Sequence, residues 1–332
     1  MSAILGIDIG KDELVTALLR EGQATEHATF DNSPKGYKKL WRFLKKRRVQ
    51  HDLHVCMEAT GLYYEGVADF LHAKGVRVSV VNPARIKAYA NSQLARNKTD
   101  KLDAAMIADF CRTQQPDAWT PLSPAQRELR ALARHLHDLQ ADQQRQKNRL
   151  HARQSASDPV TTVTEQLQAQ IALLEAQMAQ VKQAMNDHID RHPDLKHDRD
   201  LIATIPGIGE LTANKLLAEL GTIRDFENVR QLVAFAGLNP RHYESGSSVR
   251  RQTKISKMGN ASIRAALYLP AVVAKNHNPV MQALAARLEA RGLCPMEIVV
   301  AVMRKLLHLV YGILKSGQPF DPNYATNSAI SS

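Results

Sequence analysis

The chain has 332 residues, 44% of them hydrophobic and 23% charged, a balance that excludes an intrinsically disordered chain and leaves room for two or three globular domains. Lys and Arg number 44 against 33 Asp and Glu, a formal net charge of +11, so a polyanionic partner is expected. Cys56, Cys111 and Cys294 stand far apart with no C-x-x-C or Cys/His ligand spacing, which argues against a disulfide framework or a zinc site. No eighteen-residue apolar run occurs and the start, MSAILGIDIGKDE, lacks a signal pattern, so a cytoplasmic protein without a membrane span is expected.

Residues 1–118 alternate strand and helix signals. AILGIDIG is a short apolar strand ending in an acid; turns at Lys11 and Gly22 then lead to the strands LVTALL and HATF. Ser33-Pro34 predicts an N-cap with proline at the first helical position, opening the basic helix GYKKLWRFLKKRR. LHVCMEAT is a second buried strand ending in an acid, LYYEGVADFLHAK a helix, VRVSVV a strand, and Asn82-Pro83 a stop. Residues 84–113 read as helical with a polar interruption at RNKTD. Strands followed by alternating helices predict a mixed α/β sheet with helices on its faces.

Residues 119–195 lack strand signals. Leu129, Leu132, Leu136 and Leu139 recur at helical spacing, as do Leu167, Ile171, Leu174, Met178, Val181 and Met185 beyond a break at Ser157-Asp158-Pro159. A helical hairpin or coiled coil is expected. Packing within one chain and assembly between chains both fit; the narrow stripe favours assembly, because one partner helix would bury it poorly.

Residues 196–318 read as helices punctuated by turns. In LIATIPGIGELTANKLLAELG an apolar-Pro-Gly-apolar-Gly turn between two helices marks a helix-hairpin-helix unit, where Gly207 and Gly209 would let backbone amides approach a phosphate. A plain tight turn between packed helices is the alternative. Farther on, Arg241, Arg250, Arg251, Lys254, Lys257, Arg264 and Lys275 are opposed between positions 241 and 275 by Glu244 alone. Such a run suits phosphate contacts, although a solvated charged face also fits. Within it, YESGSSVRRQTK presents Ser245 either as part of a slack linker or as a nucleophile beside the basic patch. The tail, 319–332, is polar and expected to be disordered.

Four carboxylates lie at ends of these elements. Asp8 ends the first strand, Glu58 ends a central one, and Asp100 and Asp103 open a helix three residues apart, on one face. Singly, each has a structural explanation as a turn former or a complement to the helix dipole. Together at a common sheet edge they would repel unless neutralised by hard cations, and Mg²⁺ takes such oxygen ligands while keeping waters for phosphates. One or two Mg²⁺ ions per site are expected, and a pair would serve phosphodiester transfer. That is a ribonuclease H-like nuclease expectation. GIDIGK also resembles the opening of actin-like ATPases, but those need a second duplicated lobe, and the second half here reads as helical.

In order, GIDIGK, CMEATG, NPARIKAYANSQLARNKTDKLDA, IPGIGELTA and FAGLNPRHYESGSSVR resemble the DEDD-type insertion-sequence transposases related to the Piv invertase, across nearly the whole chain. The resemblance implies a RuvC-like domain, a coiled-coil linker and a helical transposase domain with a serine nucleophile. It places Asp8, Glu58, Asp100 and Asp103 on the family's four acids and Ser245 on its nucleophile. It further implies donor and target DNA, a noncoding bridge RNA, and a homo-oligomer from dimer to tetramer. A metal-dependent nuclease of the junction-resolvase kind, with water as nucleophile, is the alternative activity.

Overall fold

The computed structural model describes residues 3–93, 99–221, 223, 226–241, 244–245, 249–250 and 254–322. The chain divides into two compact units, Met1–Pro121 and Leu122–Ser332.

The first unit is built on five strands. β1 (Ala3–Ile9) pairs antiparallel with β2 (Glu13–Leu19), and β2 antiparallel with β3 (Glu26–Asp31). On its other side β1 pairs parallel with β4 (Leu53–Glu58), and β4 parallel with β5 (Arg77–Val81). The order β3-β2-β1-β4-β5, with β2 reversed, is the ribonuclease H-like arrangement.

Strand alternation sends successive side chains to opposite faces. Leu5, Ile7 and Ile9 pack with Leu40 and Leu44 of α1 (Pro34–Lys46) and Val67 and Leu71 of α2 (Glu65–His72). Ile4, Cys56 and Val81 pack on the other face with Ile86 of α3 (Pro83–Ser92) and Ala104, Ile107, Ala108 and Cys111 of α4 (Asp100–Gln114). Ser33 caps α1 as its sequence predicts, its Oγ accepting from the Gly36 amide. The second helix starts at Glu65 rather than Leu62, because Gly61 (φ 55°) and a turn closed by Tyr63 N–H to Thr60 C=O hold the preceding residues out of helix. Asn82 both stops β5 and caps α3, accepting from the Ala84 amide at 2.8 Å.

The second unit is mainly helical. α5 (Pro124–Gln154) and α6 (Thr161–Asp190) flank the break at Ser157-Asp158-Pro159 and pack along one another. Leu129, Leu136, Leu139, Met178, Met185 and Ile189 enter a core shared with α7 (Pro193–Ala203), α8 (Glu210–Leu220) and α9 (Val229–Phe235). α10 (Ala261–His277), α11 (Pro279–Glu289) and α12 (Pro295–Ser316) complete that core. Farther along α6, Leu167, Ile171 and Leu174 are only half-buried and Leu173 is 59% exposed, so one end of the stripe packs within the chain more fully than the other.

Between α9 and α10, where the sequence fits either a slack linker or a nucleophile-bearing loop, the backbone forms two short antiparallel ladders. β6 (Pro240–Arg241) pairs with β9 (Lys254–Ile255), and β7 (Glu244–Ser245) with β8 (Val249–Arg250). Among the described residues no helix is long and apolar enough to cross a membrane.

Candidate active site

Register brings the two strand acids side by side. Ile7 of β1 lies opposite Met57 of β4, so Asp8 and Glu58 are the next residues on adjacent parallel strands. Alternation gives both the face that carries Ile4 and Cys56, which is the face covered by α4. The helix is held close by Gly6: a Cβ there would stand 2.2 Å from the Ala104 carbonyl oxygen and 2.5 Å from the Ala108 nitrogen. With Ala104 over Gly6, the preceding turn of α4 brings Asp100 and Asp103 toward Asp8.

Thr99, rather than Asp100, caps this helix. Its Oγ1 accepts from the Leu102 amide at 3.3 Å, while the Asp103 amide donates to the Thr99 carbonyl at 2.8 Å. The two aspartates are therefore released from capping and stay in the first turn, exposed (Asp100) and half-buried (Asp103). At the helix's other end Tyr89 of α3 donates its hydroxyl to Asp109 at 2.6 Å, tying the two helices on this face.

The acids act on one another. Burial first, then the charges of Asp103, Asp100 and Glu58, push the Asp8 carboxyl up from 3.8 to about 6, against a smaller opposing contribution from a backbone hydrogen bond at Ile9. Like charges in a partly desolvated place disfavour further ionisation, and a hard cation would remove that penalty. All four groups offer carboxylate oxygens, the donor set Mg²⁺ takes, so the residues fit the ion chemically. Among the described residues, however, no group of three or more His, Cys, Asp or Glu side chains is gathered closely enough to hold a metal.

Ser245 belongs to the second unit. It ends β7, opposite Val249, while Glu244 lies opposite Arg250. One ladder down, Arg241 lies opposite Lys254. The ribbon thus brings Arg241, Lys254 and Arg250 near Ser245 along the backbone; Arg251, like Gly246, lies outside the described residues. Lys257 follows the ribbon with φ 54°, a left-handed conformation unusual for a residue with a Cβ.

The base of the ribbon rests on contacts that sequence reasoning missed. Gly259 lies so close to α9 that a Cβ would stand 2.3 Å from the Phe235 carbonyl oxygen. Arg264 donates to the carbonyls of Ala236 and Gly259, at 2.9 and 3.3 Å. Asn260 caps α10 and donates to Glu219 at 2.7 Å, and Arg134 pairs with the same carboxylate at 2.8 and 3.1 Å. Glu219 is only 3% exposed; burial alone would raise its affinity for a proton, yet the hydrogen bonds from Arg134 and Asn260 and the charges of Arg134 and Arg130 hold it below the usual carboxylate range.

In the helix-hairpin-helix turn the two glycines differ. Gly207 (φ 100°) is required by packing, since a Cβ would meet Ala274 of α10 at 2.7 Å. Gly209 caps α8 with open space beside it.

Sheet order and helical second unit define a class of fold, a ribonuclease H-like α/β domain followed by a helical unit. A transposase family model of the DEDD IS110 type matches residues 5–153, and one described as the transposase IS116/IS110/IS902 family matches residues 199–286. The chain is 33% identical over 324 residues to the pilin gene-inverting protein of Moraxella bovis, covering 96% of this chain and 97% of that one. It is 43% identical over 70 residues to the transposase for insertion sequence element IS1111A of Coxiella burnetii, 21% of this chain and 19% of the relative. A solved structure of T. thermophilus RuvC in complex with Holliday junction substrate matches 36% of this chain and all of its own, at 14% identity and a TM-score of 0.28; the fold assignment rests on the sheet order itself. This chain belongs to the IS110 family of transposases and recombinases, the family related to the pilin gene inverter.

Proposed function

We propose that this transposase cleaves and exchanges DNA strands through a phosphoserine intermediate on Ser245, with Asp8, Glu58, Asp100 and Asp103 holding Mg²⁺ and a noncoding bridge RNA selecting the donor and target sites. The observation that supports this reading best is the coupling of Asp8 to the three other acids, which leaves one edge of the sheet with an unmet demand for positive charge. Bound there, Mg²⁺ would polarise phosphate oxygens and neutralise charge that develops on them.

The rest falls to the chain's own residues. The Ser245 oxygen attacks phosphorus as the bond to the neighbouring strand oxygen breaks, and that oxygen leaves as a hydroxyl after taking a proton. The hydroxyl of another strand then attacks the serine ester, forming a new phosphodiester and restoring the serine. Bond energy is kept in the ester, so no nucleotide triphosphate is required. A serine hydroxyl is a weak nucleophile and needs activation by its surroundings. Arg241, Arg250, Arg251, Lys254 and Lys257 would orient the phosphate and spread its charge. Gly209, open at the α8 N-terminus, suits a backbone phosphate contact better than the packed Gly207 does. The chain acts as a homo-oligomer, a dimer to a tetramer, with α5 and α6 as the assembly segment.

The test is to trap a covalent protein–DNA adduct in the presence of the flanking noncoding RNA and Mg²⁺. Ser245→Ala should lose adduct and strand exchange together, and Asp103→Asn should lose both while still binding DNA. Hydrolytic cleavage that survives Ser245→Ala without an adduct would instead establish a water nucleophile and a resolvase-like nuclease.

A further inference from the structure

The basic helix α1 takes no part in the chemistry above. It lies on the sheet face opposite α4, so its exposed side looks away from the helix that bears Asp100 and Asp103. Its thirteen residues, PKGYKKLWRFLKK, contain no acid, and Arg47 and Arg48 follow directly. Tyr37, Leu40 and Leu44 anchor its apolar side, while Lys35, Lys38, Lys39, Arg42, Lys45, Lys46 and Arg48 are exposed.

Two intramolecular acids answer part of this charge: Asp31 pairs with Lys39 at 3.0 Å, and Glu26 pairs with Arg47. Among the described residues Lys35, Lys38, Arg42, Lys45, Lys46 and Arg48 form no ion pair. A merely solvated helix face interleaves the two signs, because Lys and Arg three or four residues apart repel while opposite charges attract. Here Lys35 faces Lys39, Lys38 faces Arg42, and Arg42 faces Lys45 and Lys46. Lys35 also stands in the first turn, where the helix dipole disfavours a cation. The last turn's dipole favours Lys45 and Lys46, but among the described residues no ion pair beyond those of Lys39 and Arg47 offsets the helix's self-repulsion. Trp41 lies half-buried among these side chains, with the Lys45 ammonium 5.9 Å from its ring.

We propose that α1 binds the phosphate backbone of a double-stranded nucleic acid, as a surface separate from the carboxylate edge; this rests on the reading of the chain as a nucleic-acid recombinase. From Lys35 to Lys46 the cations recur once per turn over roughly 16 Å, the axial rise of about five base pairs of a duplex. Recognition of this kind is independent of sequence, so the helix positions a duplex without selecting it. DNA and an RNA stem offer the same phosphate chemistry, and the experiment separates them.

The full-length protein is titrated with a DNA duplex and an RNA duplex of equal length over a range of salt concentrations. The quadruple variant Lys38→Gln, Arg42→Gln, Lys45→Gln, Lys46→Gln is compared with its counterpart in which the three lysines become Arg and Arg42 becomes Lys. Folding of both is checked by circular dichroism. For the duplex that α1 holds, the Gln variant should bind roughly 100-fold more weakly, with a log–log salt slope smaller by about 3 to 4, near 0.9 for each lost phosphate contact on DNA. The charge-conserving variant should keep affinity and slope. A loss confined to one duplex identifies it as the ligand. A folded Gln variant with unchanged affinity and slope on both duplexes, while the wild type binds, overturns the proposal alone. Tighter wild-type binding to anionic phospholipid vesicles than to either duplex overturns it in favour of a lipid surface. A wild type that binds no nucleic acid overturns the recombinase reading as well.

Discussion

Asp8→Asn tests whether the carboxylate edge is an electrostatic liability that a cation relieves. A carboxyl raised from 3.8 to about 6 has lost, at neutral pH, about 3 kcal/mol of folding free energy if nothing screens it. Asp8 is only half-buried, and solvent screening brings the expected cost to roughly 1–2 kcal/mol. Because the folded pKa lies above the unfolded one, the protonated carboxyl's advantage is complete below the unfolded value and disappears as pH rises through about 6. The Asn variant cannot ionise there. It should therefore exceed the wild type in stability by that amount at pH 7.5 without divalent ions, with the difference shrinking toward pH 5. Urea denaturation across this range measures the effect, and hydrogen exchange of the β1 and α4 amides assigns it to the first unit. Added Mg²⁺ should stabilise the wild type and narrow the gap, while strand exchange by the variant is lost. Equal stabilities at every pH, or a variant weaker than wild type at pH 7.5, would refute the reasoning.

Other perturbations separate the elements that position the site. Gly6→Ala places a Cβ against the Ala104 backbone and should cost roughly 1–3 kcal/mol in urea denaturation. If α4 shifts away, the same variant should lower the Asp8 pKa measured by carboxyl-carbon NMR. Thr99→Ala removes the α4 cap and should cost about 1 kcal/mol, seen as faster amide exchange in the first turn of α4. Arg134→Met removes two of the hydrogen bonds to the buried Glu219 carboxylate, leaving Asn260 and the charge of Arg130, and should cost about 2 kcal/mol at pH 7. In the wild type the stability from Glu219 is present above its unfolded pKa and is lost as pH falls through its lowered folded value; in Arg134→Met the loss should begin at higher pH, as urea midpoints between pH 3 and 7 would report.

What the sequence makes legible is what short-range pattern controls. AILGIDI and LHVCME are apolar on both faces because helices cover both sides of β1 and β4, and Ser33-Pro34 and Asn82-Pro83 mark helix starts through their own side chains. The interruption in RNKTD hides a cap, because Thr99 shows its role only once the chain turns into α4. Ribbon strands of two residues are too short for alternation to register, so glycine and serine there suggest slack where the backbone makes a ladder. Arg134 and Glu219 are 85 residues apart, and no local signal links them. One missed contact did have a signal: glycine inside a strand often marks a close backbone approach, and Gly6 marks the docking of α4 that carries Asp100 and Asp103 to the sheet edge.

That docking explains why Asp8 feels the charges of Asp100 and Asp103. The groups that push Asp8 up, and the glycine that lets them near it, all lie in the first unit. The raised Asp8 carboxyl therefore follows from the first unit alone. On the second unit Ser245 sits on a ribbon whose register sets Arg241 opposite Lys254 and Arg250 opposite Glu244, a local excess of positive charge. The two units thus carry opposite local excesses, negative charge where β1, β4 and α4 meet and positive charge along the ribbon.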